Sequence, residues 1–569
     1  MEFFCKKCSA QIVIAQMRRE TNCAPGRSES FQGGGAFDLV EKMRLGQFVM
    51  SSLGHGPRVV VHRPPRPEII GEQTRSREND GKIRAERPPR RRGEEEKEER
   101  AEPNRERQKI KRKVRQCPVQ ALPPEDSANS EAAQPTGRVN HENGELFSRL
   151  GVGTLQSWRM ILSNARLIFP EGIRDGLELV IAKGKISEIR EQTRHGHPPR
   201  GSSDWKPESP EIIDLHGNFL APGFIDLHLH GAVGRDTMEA SEESFRTICD
   251  FHASGGTTSL LLTTVTAPMV EIVAVLRAAG DLREQIPQLL GIHVEGPFIS
   301  KTRRGVQREQ FIRDPTPDQI EELFDFSETI KVVTLAPELP GALDFIDRLR
   351  ERNIRVSGGH TDAWDEDART AFEHGMRQVT HTFNCMSSAR RRGIHRSAGL
   401  LEFALSEPEI LCELIADGHH VSPTLMKMLY RAKGARGICL VTDATAGAGL
   451  AEGARFSLGG MECVVRDGVC LLADHSALAG SAARMIDLVR TMVNDVGVPL
   501  QEAIEMATGN PARALGTDTT KGRLAPGADA DLVMLSPDLE VVQTFAQGKE
   551  IHPKAMLKNV RSQATRAGG

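Results

Sequence analysis

The sequence predicts an α/β fold: a (β/α)8 TIM barrel with a small β-sandwich domain built from both flanks. Two observations lead to this prediction. Between residues 217 and 520, eight short apolar segments alternate with segments of helical periodicity, which is typical of a parallel sheet covered by helices. Residues 160–216 and 521–558 are instead rich in short strands and turns, so the two ends of the chain can complete one β-domain. Eight strand–helix repeats in one region favour a closed barrel.

The first 159 residues differ from the rest of the chain. Residues 74–116 consist largely of Arg, Lys and Glu and contain almost no apolar side chain, so they cannot bury enough surface to offset the entropy of ordering. We therefore interpret residues 1–159 as a disordered extension, or as a stretch that precedes the true start at Met160. A nucleic-acid-binding arm is the more specific functional alternative, but the glutamates between the basic residues cancel much of the positive charge.

Strand patterns begin at Met160. The run Met160–Pro170 predicts a first strand, and two shorter runs on either side of Gly184 follow it. The end of the chain has the same character, with candidate strands at Asp529–Leu535 and Val541–Phe545. These two groups of strands form the predicted β-domain.

Eight candidate strands form the predicted barrel, each separated from the next by a helix-length segment. They are Phe224–His230, Ser259–Val265, Leu289–Glu295, Lys331–Leu335, Ile354–Gly358, Gln378–Phe383, Leu411–Ala416 and Gly437–Thr442. Apolar residues have helical spacing in the segments Ser241–Ala253, Glu271–Glu284, Pro317–Phe324, Ala482–Val493 and Pro499–Ala507. The carboxyl ends of parallel barrel strands meet at one face, which is where the active sites of this architecture lie.

Side chains that bind metal stand at these strand ends. His228 and His230 are two residues apart on one strand, so they share a face and can reach one cation. Neutral imidazoles suit zinc or iron. Two buried histidines satisfied by the backbone are the alternative, but a pair on one face at a strand end favours a metal site.

Later strands end in further candidates. A Gly-Pro pair ends the strand after Glu295 and exposes its carboxylate, which can bind one cation or bridge two; a buried salt bridge is the alternative. His360 and His381 each end another strand. Asp443 ends the eighth strand and suits general acid–base work beside a metal, although an N-cap is the simpler role.

The bulk properties exclude several classes of protein. A net charge of −3 with a pI of about 6.7 argues against a polyanion binder, so no nucleic-acid partner is expected. The chain has no apolar run that approaches the roughly 18 residues of a membrane span, and its first residues lack the ordered regions of a signal peptide. The ten cysteines show no disulfide-like spacing, which favours reduced thiols in a cytoplasmic protein.

Several motifs together resemble one family. Pro-Gly-Phe-Ile-Asp-Leu-His-Leu-His-Gly, at residues 222–231, is similar to the opening motif of the amidohydrolase superfamily. Glu-Gly-Pro-Phe from Glu295, Gly-His-Thr around His360, His-Thr-Phe-Asn from His381 and Thr-Asp-Ala around Asp443 resemble the N-acetylglucosamine-6-phosphate deacetylases. The likeness runs from about Met160 to the C-terminus. It implies hydrolysis of the N-acetyl group of N-acetylglucosamine 6-phosphate to glucosamine 6-phosphate and acetate, in amino-sugar catabolism or recycling.

The resemblance also implies one or two divalent metals per subunit, with zinc the first expectation and iron the second. Three groups would hold the catalytic metal: Glu295, His360 and His381. Some members of the family replace the first two histidines and use one metal; this chain keeps His228 and His230, so a second metal is allowed. Asp443 would act first as the base and then as the acid.

By the same resemblance, a set of residues would contact the substrate: Val306, Asn384, Cys385, Arg396, Asp417, Gly418, His419, His420, Leu478, Ala479 and Gly480. His420 and Arg396 would meet the phosphate, with Arg392 as the rival because the basic run leaves the register open. Part of this site can come from a neighbouring subunit in the family, so a homodimer is expected. Gln307 stands where the family usually has histidine; it can hydrogen-bond a hydroxyl but carries no charge, which leaves the galactosamine epimer open.

Other interpretations stay open at this point. Another amidohydrolase, such as an N-acyl-amino-acid deacylase or a dihydroorotase-like enzyme, would often bridge its metals with a carboxylated lysine, where this chain has Glu295. A barrel that has lost catalysis would lack ligands, yet the five candidates and Asp443 are all present. Metal analysis combined with a deacetylase assay would separate another amidohydrolase and an inactive barrel from a nucleic-acid-binding protein.

Overall fold

The computed structural model describes residues 159–193 and 210–552; residues 1–158, most of the predicted extension, lie outside that part. The strands are β1 Arg159–Phe169, β2 Gly172–Ala182, β3 Lys185–Glu191, β4 Glu211–Asp214, β5 Phe219–Pro222, β6 Phe224–Leu229, β7 Gly231–Ala232, β8 Arg235–Asp236, β9 Thr257–Thr263, β10 Leu289–Glu295, β11 Ile330–Leu335, β12 Arg355–Gly358, β13 Gln378–Val379, β14 Arg390–Arg392, β15 His395–Ser397, β16 Leu411–Leu414, β17 Ile438–Leu440, β18 Arg455–Leu458, β19 Met461–Arg466, β20 Val469–Leu472, β21 Leu532–Leu535, β22 Val541–Ala546 and β23 Lys549–His552.

The α-helices are α1 Glu242–Ala253, α2 Met269–Leu282, α3 Pro317–Phe324, α4 Ala342–Glu351, α5 Asp365–His374, α6 Leu400–Ser406, α7 Pro423–Lys433, α8 Met485–Thr491, α9 Leu500–Ala507 and α10 Gly509–Ala514. A π-helical turn, Met492–Val496, continues α8. Short 3-10 segments lie at Thr237–Glu239, Lys301–Arg303, Glu309–Phe311 and Ala435–Gly437. Among the described residues, none of the helices is long and apolar enough to cross a membrane.

The predicted barrel is confirmed. Eight strands form one sheet in the order β6, β9, β10, β11, β12, β13, β16 and β17, and each pairs in parallel with the next along the chain. Backbone hydrogen bonds just beyond the last strand bring the first and last strands together. Asp443 N–H donates to the His228 carbonyl at 2.8 Å, and His230 N–H donates to the Ala444 carbonyl at 2.7 Å. Two of the predicted metal-site residues therefore lie where the barrel closes.

Two hydrophobic clusters hold the barrel and its helices. The larger lies between strands and helices and includes Phe245 of α1, Phe345 of α4 and Val294 of β10. A second cluster fills the barrel interior away from the strand ends, with Leu227 and Val441 among its members. Strands buried on both faces are expected to be rich in apolar residues, and most residues of β6, β10 and β16 are apolar.

The flanking β-domain is built from both ends of the chain, as predicted. Its eight-stranded sheet runs β23, β22, β21, β5, β1, β2, β3, with β4 also paired to β1. Leu162 and Ile181 from the first flank share a hydrophobic cluster with Leu532 and Phe545 from the last. The β5 strand, Phe219–Pro222, pairs with both β1 and β21 and leads directly into the first barrel strand.

Besides the short β7–β8 ladder, two small sheets were not predicted. The hairpin of β14 and β15 projects from the loop after β13 and exposes 85% of Ile394. A three-stranded antiparallel sheet, β18 to β20, follows the last barrel strand. The sequence does carry a signal for the second sheet, because the Asp467-Gly468 pair between β19 and β20 is a common two-residue hairpin turn.

Candidate metal centre and active site

The predicted metal-binding side chains meet at the carboxyl end of the barrel. Each belongs to the end of a strand or to the residues just after it, on β6, β10, β12, β13 and β17: His228, His230, Glu295, His360, His381 and Asp443. All six are buried, and Asp443 is the most accessible at 9%. Parallel strands present their carboxyl ends on one side of the sheet, so residues far apart in sequence share one site.

The first cluster is formed by Glu295, His360 and His381. Glu295 Oε1 lies 3.2 Å from the Nε2 atom of each histidine, and the two Nε2 atoms are 3.1 Å apart. One carboxylate oxygen and two imidazole nitrogens thus point at a common position. This is the donor set of a catalytic zinc-type site, which uses protein nitrogens and oxygens and keeps a position open.

A second cluster adjoins the first and contains His228, His230 and Asp443. The Nε2 atoms of the two histidines are 3.3 Å apart. Asp443 Oδ1 lies 3.2 Å from His230 Nε2 and 3.6 Å from His228 Nε2. Glu295 faces both clusters, because its two oxygens are each 3.5 Å from one of these nitrogens.

The hydrogen bonds of the imidazoles fix which nitrogen faces the site. Three of the four rings have their Nδ1 atom next to a buried acceptor: His360 with the Arg303 carbonyl at 3.0 Å, His230 with the Thr263 carbonyl at 3.1 Å and His228 with Glu413 Oε2 at 3.1 Å. A proton on Nδ1 leaves the Nε2 lone pair available for a cation. The residues present therefore fit a bound divalent metal.

The charges of the site also favour a bound cation. Burial would raise the pKa of Glu295, but the adjacent His228 and His360 lower it well below 4.5. Burial would also raise the pKa of Asp443, yet His228 and His230 lower it to about 2. Both carboxylates are therefore ionised, and they attract positive charge to the space between them.

The backbone at three of these residues is unusual. His360, His381 and Asp443 have φ values of 47°, 29° and 48°, in the left-handed region that residues other than glycine rarely adopt. Such strain concentrates at functional sites, where the surrounding structure enforces it. Here it turns each side chain into the barrel mouth at a strand end, where regular alternation would not place it.

The first strand has a comparable irregularity. Its ladder with β9 shifts register between Asp226 and Leu229. Leu227 joins the cluster inside the barrel, whereas Leu229, two residues later, packs in the cluster shared with the helices. Bulges near active sites re-aim side chains in this way.

Several buried polar residues beneath the site were not predicted from the sequence. Glu413, in β16, is fully buried and accepts hydrogen bonds from His228 Nδ1, from Gln378 Nε2 at 2.6 Å and from the His381 N–H at 3.2 Å. Asp226 accepts a hydrogen bond from Thr442 Oγ1 at 2.6 Å, and burial raises its pKa to about 7. A lone carboxylate inside an apolar strand is the signal that could have revealed both.

His293 is close to the site but is already satisfied. Its Nε2 atom lies 2.7 Å from Thr334 Oγ1, and its Nδ1 atom lies 3.0 Å from the Leu227 carbonyl. Burial and the nearby His228 lower its pKa to about 4, so the ring is neutral. His293 supports the site from below.

A cavity of about 290 Å³ opens above the metal-binding groups. Many of the predicted substrate contacts line it: Val306, Asn384, Cys385, His420, Leu478 and Gly480. Seven residues that sequence analysis had not assigned to the substrate also line the cavity: Val265, Thr266, Gly305, Arg308, Leu458, Gly459 and Ala477. Gln307, which sequence analysis had considered for a sugar hydroxyl, lines it as well. Leu458 and Gly459 come from the unpredicted β18–β20 sheet, which is why they were missed.

The other predicted contacts lie around the cavity and do not line it. Asp417 accepts hydrogen bonds from the N–H groups of His419 and His420, both at 2.9 Å. Its other oxygen lies 2.7 Å from His420 Nδ1 and orients that ring. Gly418 and His419 are exposed at the turn, whereas Ala479 is fully buried behind the wall.

The two candidate arginines lie on the β14–β15 hairpin, outside the wall of the cavity. Arg392 Nη1 donates to Glu366 Oε1 at 2.8 Å, so its charge is already paired. Arg396 is exposed and donates only to the Ala389 carbonyl, at 3.5 Å, among the residues described. Of the two, Arg396 keeps its charge available for an external anion.

Comparison with known proteins assigns the family. A profile described as the amidohydrolase family matches residues 219–551, which is more than half of the chain. The chain belongs to the amidohydrolase family. Its relatives include the N-acetylgalactosamine-6-phosphate deacetylase of Escherichia coli O157:H7, which is 35% identical over 68% of this chain and 98% of that protein. The N-acetylglucosamine-6-phosphate deacetylase of Lysinibacillus sphaericus is 34% identical over 68% of this chain and 97% of that protein.

Solved structures agree with this assignment. The N-acetylglucosamine-6-phosphate deacetylase of Pasteurella multocida superposes with a TM-score of 0.63 at 32% identity, covering 69% of this amidohydrolase and 99% of that chain. A mutant of the deacetylase of Mycobacterium smegmatis, in complex with N-acetyl-D-glucosamine-6-phosphate, gives a TM-score of 0.62 at 30% identity. That match covers 70% of this amidohydrolase and 100% of that chain.

Proposed function

We propose that this amidohydrolase hydrolyses the N-acetyl amide of N-acetyl-D-glucosamine 6-phosphate to D-glucosamine 6-phosphate and acetate. The observation that supports this most directly is the convergence of Glu295, His360 and His381 beside Asp443 on one cavity. Relatives and solved structures that carry this activity in their names match the chain over nearly their whole length. The reaction belongs to amino-sugar catabolism or recycling.

In this proposal Glu295, His360 and His381 hold the catalytic divalent metal. A cation bound there supplies Lewis acidity to the amide carbonyl and to the attacking water. His228 and His230 offer a second position, so one or two metals per subunit fit the donor set. Zinc is the first choice and iron the second, because imidazole and carboxylate ligands suit both.

Asp443 is assigned the two proton transfers of the reaction. It is ionised in the free site and lies at the wall of the cavity, so it can accept a proton from the attacking water. The same carboxyl group then returns the proton to the leaving nitrogen of the sugar, because a neutral amine is a far better leaving group than its anion. One carboxylate thus serves as base and then as acid.

Recognition of the phosphorylated sugar is assigned to the wall of the cavity. Asn384, the backbone at Cys385, and the Asp417-oriented ring of His420 face the space where a sugar would lie. Arg396 stands outside the wall on its hairpin, so it would reach the phosphate of a neighbouring subunit in a homodimer. Charge-assisted hydrogen bonds to a dianion contribute about 1.5–3 kcal/mol each.

We also propose the domain division and location that follow from the sequence. Residues 160–216 and 521–558 would form the β-domain and residues 217–520 the barrel, with the extension before them dispensable. The described cysteines are all free thiols, which favours a reducing compartment, the cytoplasm.

The decisive experiment measures acetate release by the zinc-loaded protein from three substrates. We expect rapid hydrolysis of N-acetylglucosamine 6-phosphate and slow hydrolysis of unphosphorylated N-acetylglucosamine. Faster hydrolysis of N-acetylgalactosamine 6-phosphate would reassign the epimer, which the name of the Escherichia coli relative makes a specific alternative. Equal rates on phosphorylated and unphosphorylated sugar would reduce the assignment to a general amino-sugar amidohydrolase.

The phosphate site can be tested separately. Arg396→Ala should raise the KM for the phosphorylated sugar by about tenfold or more and leave the unphosphorylated sugar unaffected, because one charge-assisted bond is lost. Arg392→Ala is the matched control, since its charge is paired with Glu366. A selective defect in the control alone would show that the register of the arginine is wrong while the function stands.

A further inference from the structure

Gln307 is buried, with 6% of its surface exposed, and both ends of its side-chain amide are engaged. Its Oε1 atom accepts a hydrogen bond from the Thr266 N–H at 2.7 Å. Its Nε2 atom donates to Glu295 Oε2 at 2.9 Å. The amide therefore links the loop after β9 to the last residue of β10. Each end of the amide keeps one further donor or acceptor, but the two bonds fix its position between Thr266 and Glu295.

This link gives the two oxygens of Glu295 different surroundings. Oε1 faces the Nε2 atoms of His360 and His381, whereas Oε2 is held by the amide. Turning the carboxylate about its last torsion would break the hydrogen bond from Gln307 and leave a buried donor unpaired, which costs about 1–3 kcal/mol. The amide thus holds the carboxylate in the plane in which one oxygen meets Gln307 and the other points at the metal position.

We infer that Gln307 is a positioning residue for the metal. The inference rests on the proposed metal centre and extends it to a residue outside the ligand set. Residues that orient metal ligands typically change metal affinity about 10–100-fold when they are replaced. The anchor at Thr266 matters as much as the bond to Glu295, because a glutamine held at one end only would be free to rotate.

The test compares Gln307→Met with Gln310→Met. Methionine has nearly the shape of glutamine but cannot donate or accept these hydrogen bonds, and Gln310 is an exposed glutamine three residues along the same loop. Zinc affinity is measured with Zn²⁺ alone, in competition with a chromophoric chelator and without substrate. We expect Gln307→Met to bind zinc about 10–100-fold more weakly and Gln310→Met to match the parent protein. Gln310 does not line the cavity, so at saturating zinc Gln310→Met should also keep the KM of the parent protein for the sugar.

Two results would overturn the inference. Unchanged zinc affinity with a raised KM would make Gln307 a sugar contact, and no change in either quantity would leave it without a role in the site. If Gln307→Met does not fold, Gln307→Asn decides, because its amide is one methylene too short to reach Glu295 from the Thr266 anchor. The zinc titration needs no substrate, so an error in the proposed substrate would not affect its outcome.

Discussion

Replacing Glu413 with glutamine tests how much the buried support beneath the metal centre contributes. Its Oε2 atom accepts hydrogen bonds from His228 Nδ1 at 3.1 Å and from the His381 N–H at 3.2 Å. Its Oε1 atom accepts one from Gln378 Nε2 at 2.6 Å. Burial would raise the pKa of Glu413, but the bond from His228 lowers it below 4.5, so the group is a carboxylate that only accepts.

Glutamine keeps the shape of Glu413 but turns one of the two oxygens into a donor. The least disruptive choice places the new NH2 group against Gln378, whose own amide must then turn over. In the parent protein Arg355 Nε donates to Gln378 Oε1 at 3.0 Å. The rotation would point the NH2 group of Gln378 at Arg355 Nε, so two donors would face each other there instead of at residue 413. A hydrogen bond to a charged group contributes about 1.5–3 kcal/mol and a buried unpaired donor costs about 1–3 kcal/mol. We expect the free energy of unfolding to fall by about 3 kcal/mol.

Urea denaturation of the metal-free protein measures this loss, and a zinc titration should show affinity reduced about 10–100-fold. Glu462→Gln is the matched control: Glu462 is 74% exposed and pairs with Arg455, so its loss should cost less than about 1 kcal/mol. Equal urea midpoints and equal zinc affinities for the two variants would refute the role assigned to Glu413.

Two further predictions concern proton transfer and pH. Asp443→Asn should keep zinc at the Glu295 site but lose roughly 10²–10⁴-fold in kcat, because an amide cannot transfer the proton; near-normal turnover would assign that task to another residue. Burial lowers the pKa of His252 from 6.5 to about 4. As the pH falls from 6.5 to about 4, the unfolded chain binds a proton that the folded chain does not, and stability falls by roughly 3 kcal/mol. His252→Gln should lack this component in urea denaturation across that range, and identical pH profiles for the two proteins would contradict the argument.

The barrel could be predicted because its strands are local signals. Runs such as Leu289–Glu295 and Lys331–Leu335 are mostly buried and mostly apolar or β-branched, and the observed strands differ from them by one residue or none. The clustering of the candidate His, Glu and Asp side chains could be predicted for the same reason, since each ends such a run. Their convergence at one end of the barrel then followed from the parallel order of the strands alone.

The remainder depends on contacts between distant segments. His360 and Asp443 have left-handed backbone, which His and Asp adopt more often than most residues but which their types alone do not predict. Gln307 could be read only as a side chain with hydrogen-bonding capacity, because its partners Thr266 and Glu295 lie on other loops and strands. The β18–β20 sheet was missed because its strands are short and partly exposed, although they bring Leu458 to the cavity.

The layer beneath the metal centre also explains why this end of the barrel is polar. The interior of a TIM barrel is usually filled by Val, Ile and Leu. Here a chain of buried hydrogen bonds joins His293 to Thr334 at 2.7 Å and Thr334 to Thr380 at 2.7 Å, below the ligands and above the apolar cluster. Such a layer adds less stability than an apolar one of the same volume, and it is tolerable only because its members satisfy one another. What it provides is orientation: Glu413 holds Nδ1 of His228, so that the opposite nitrogen of that ring faces the metal position, which an apolar layer could not do.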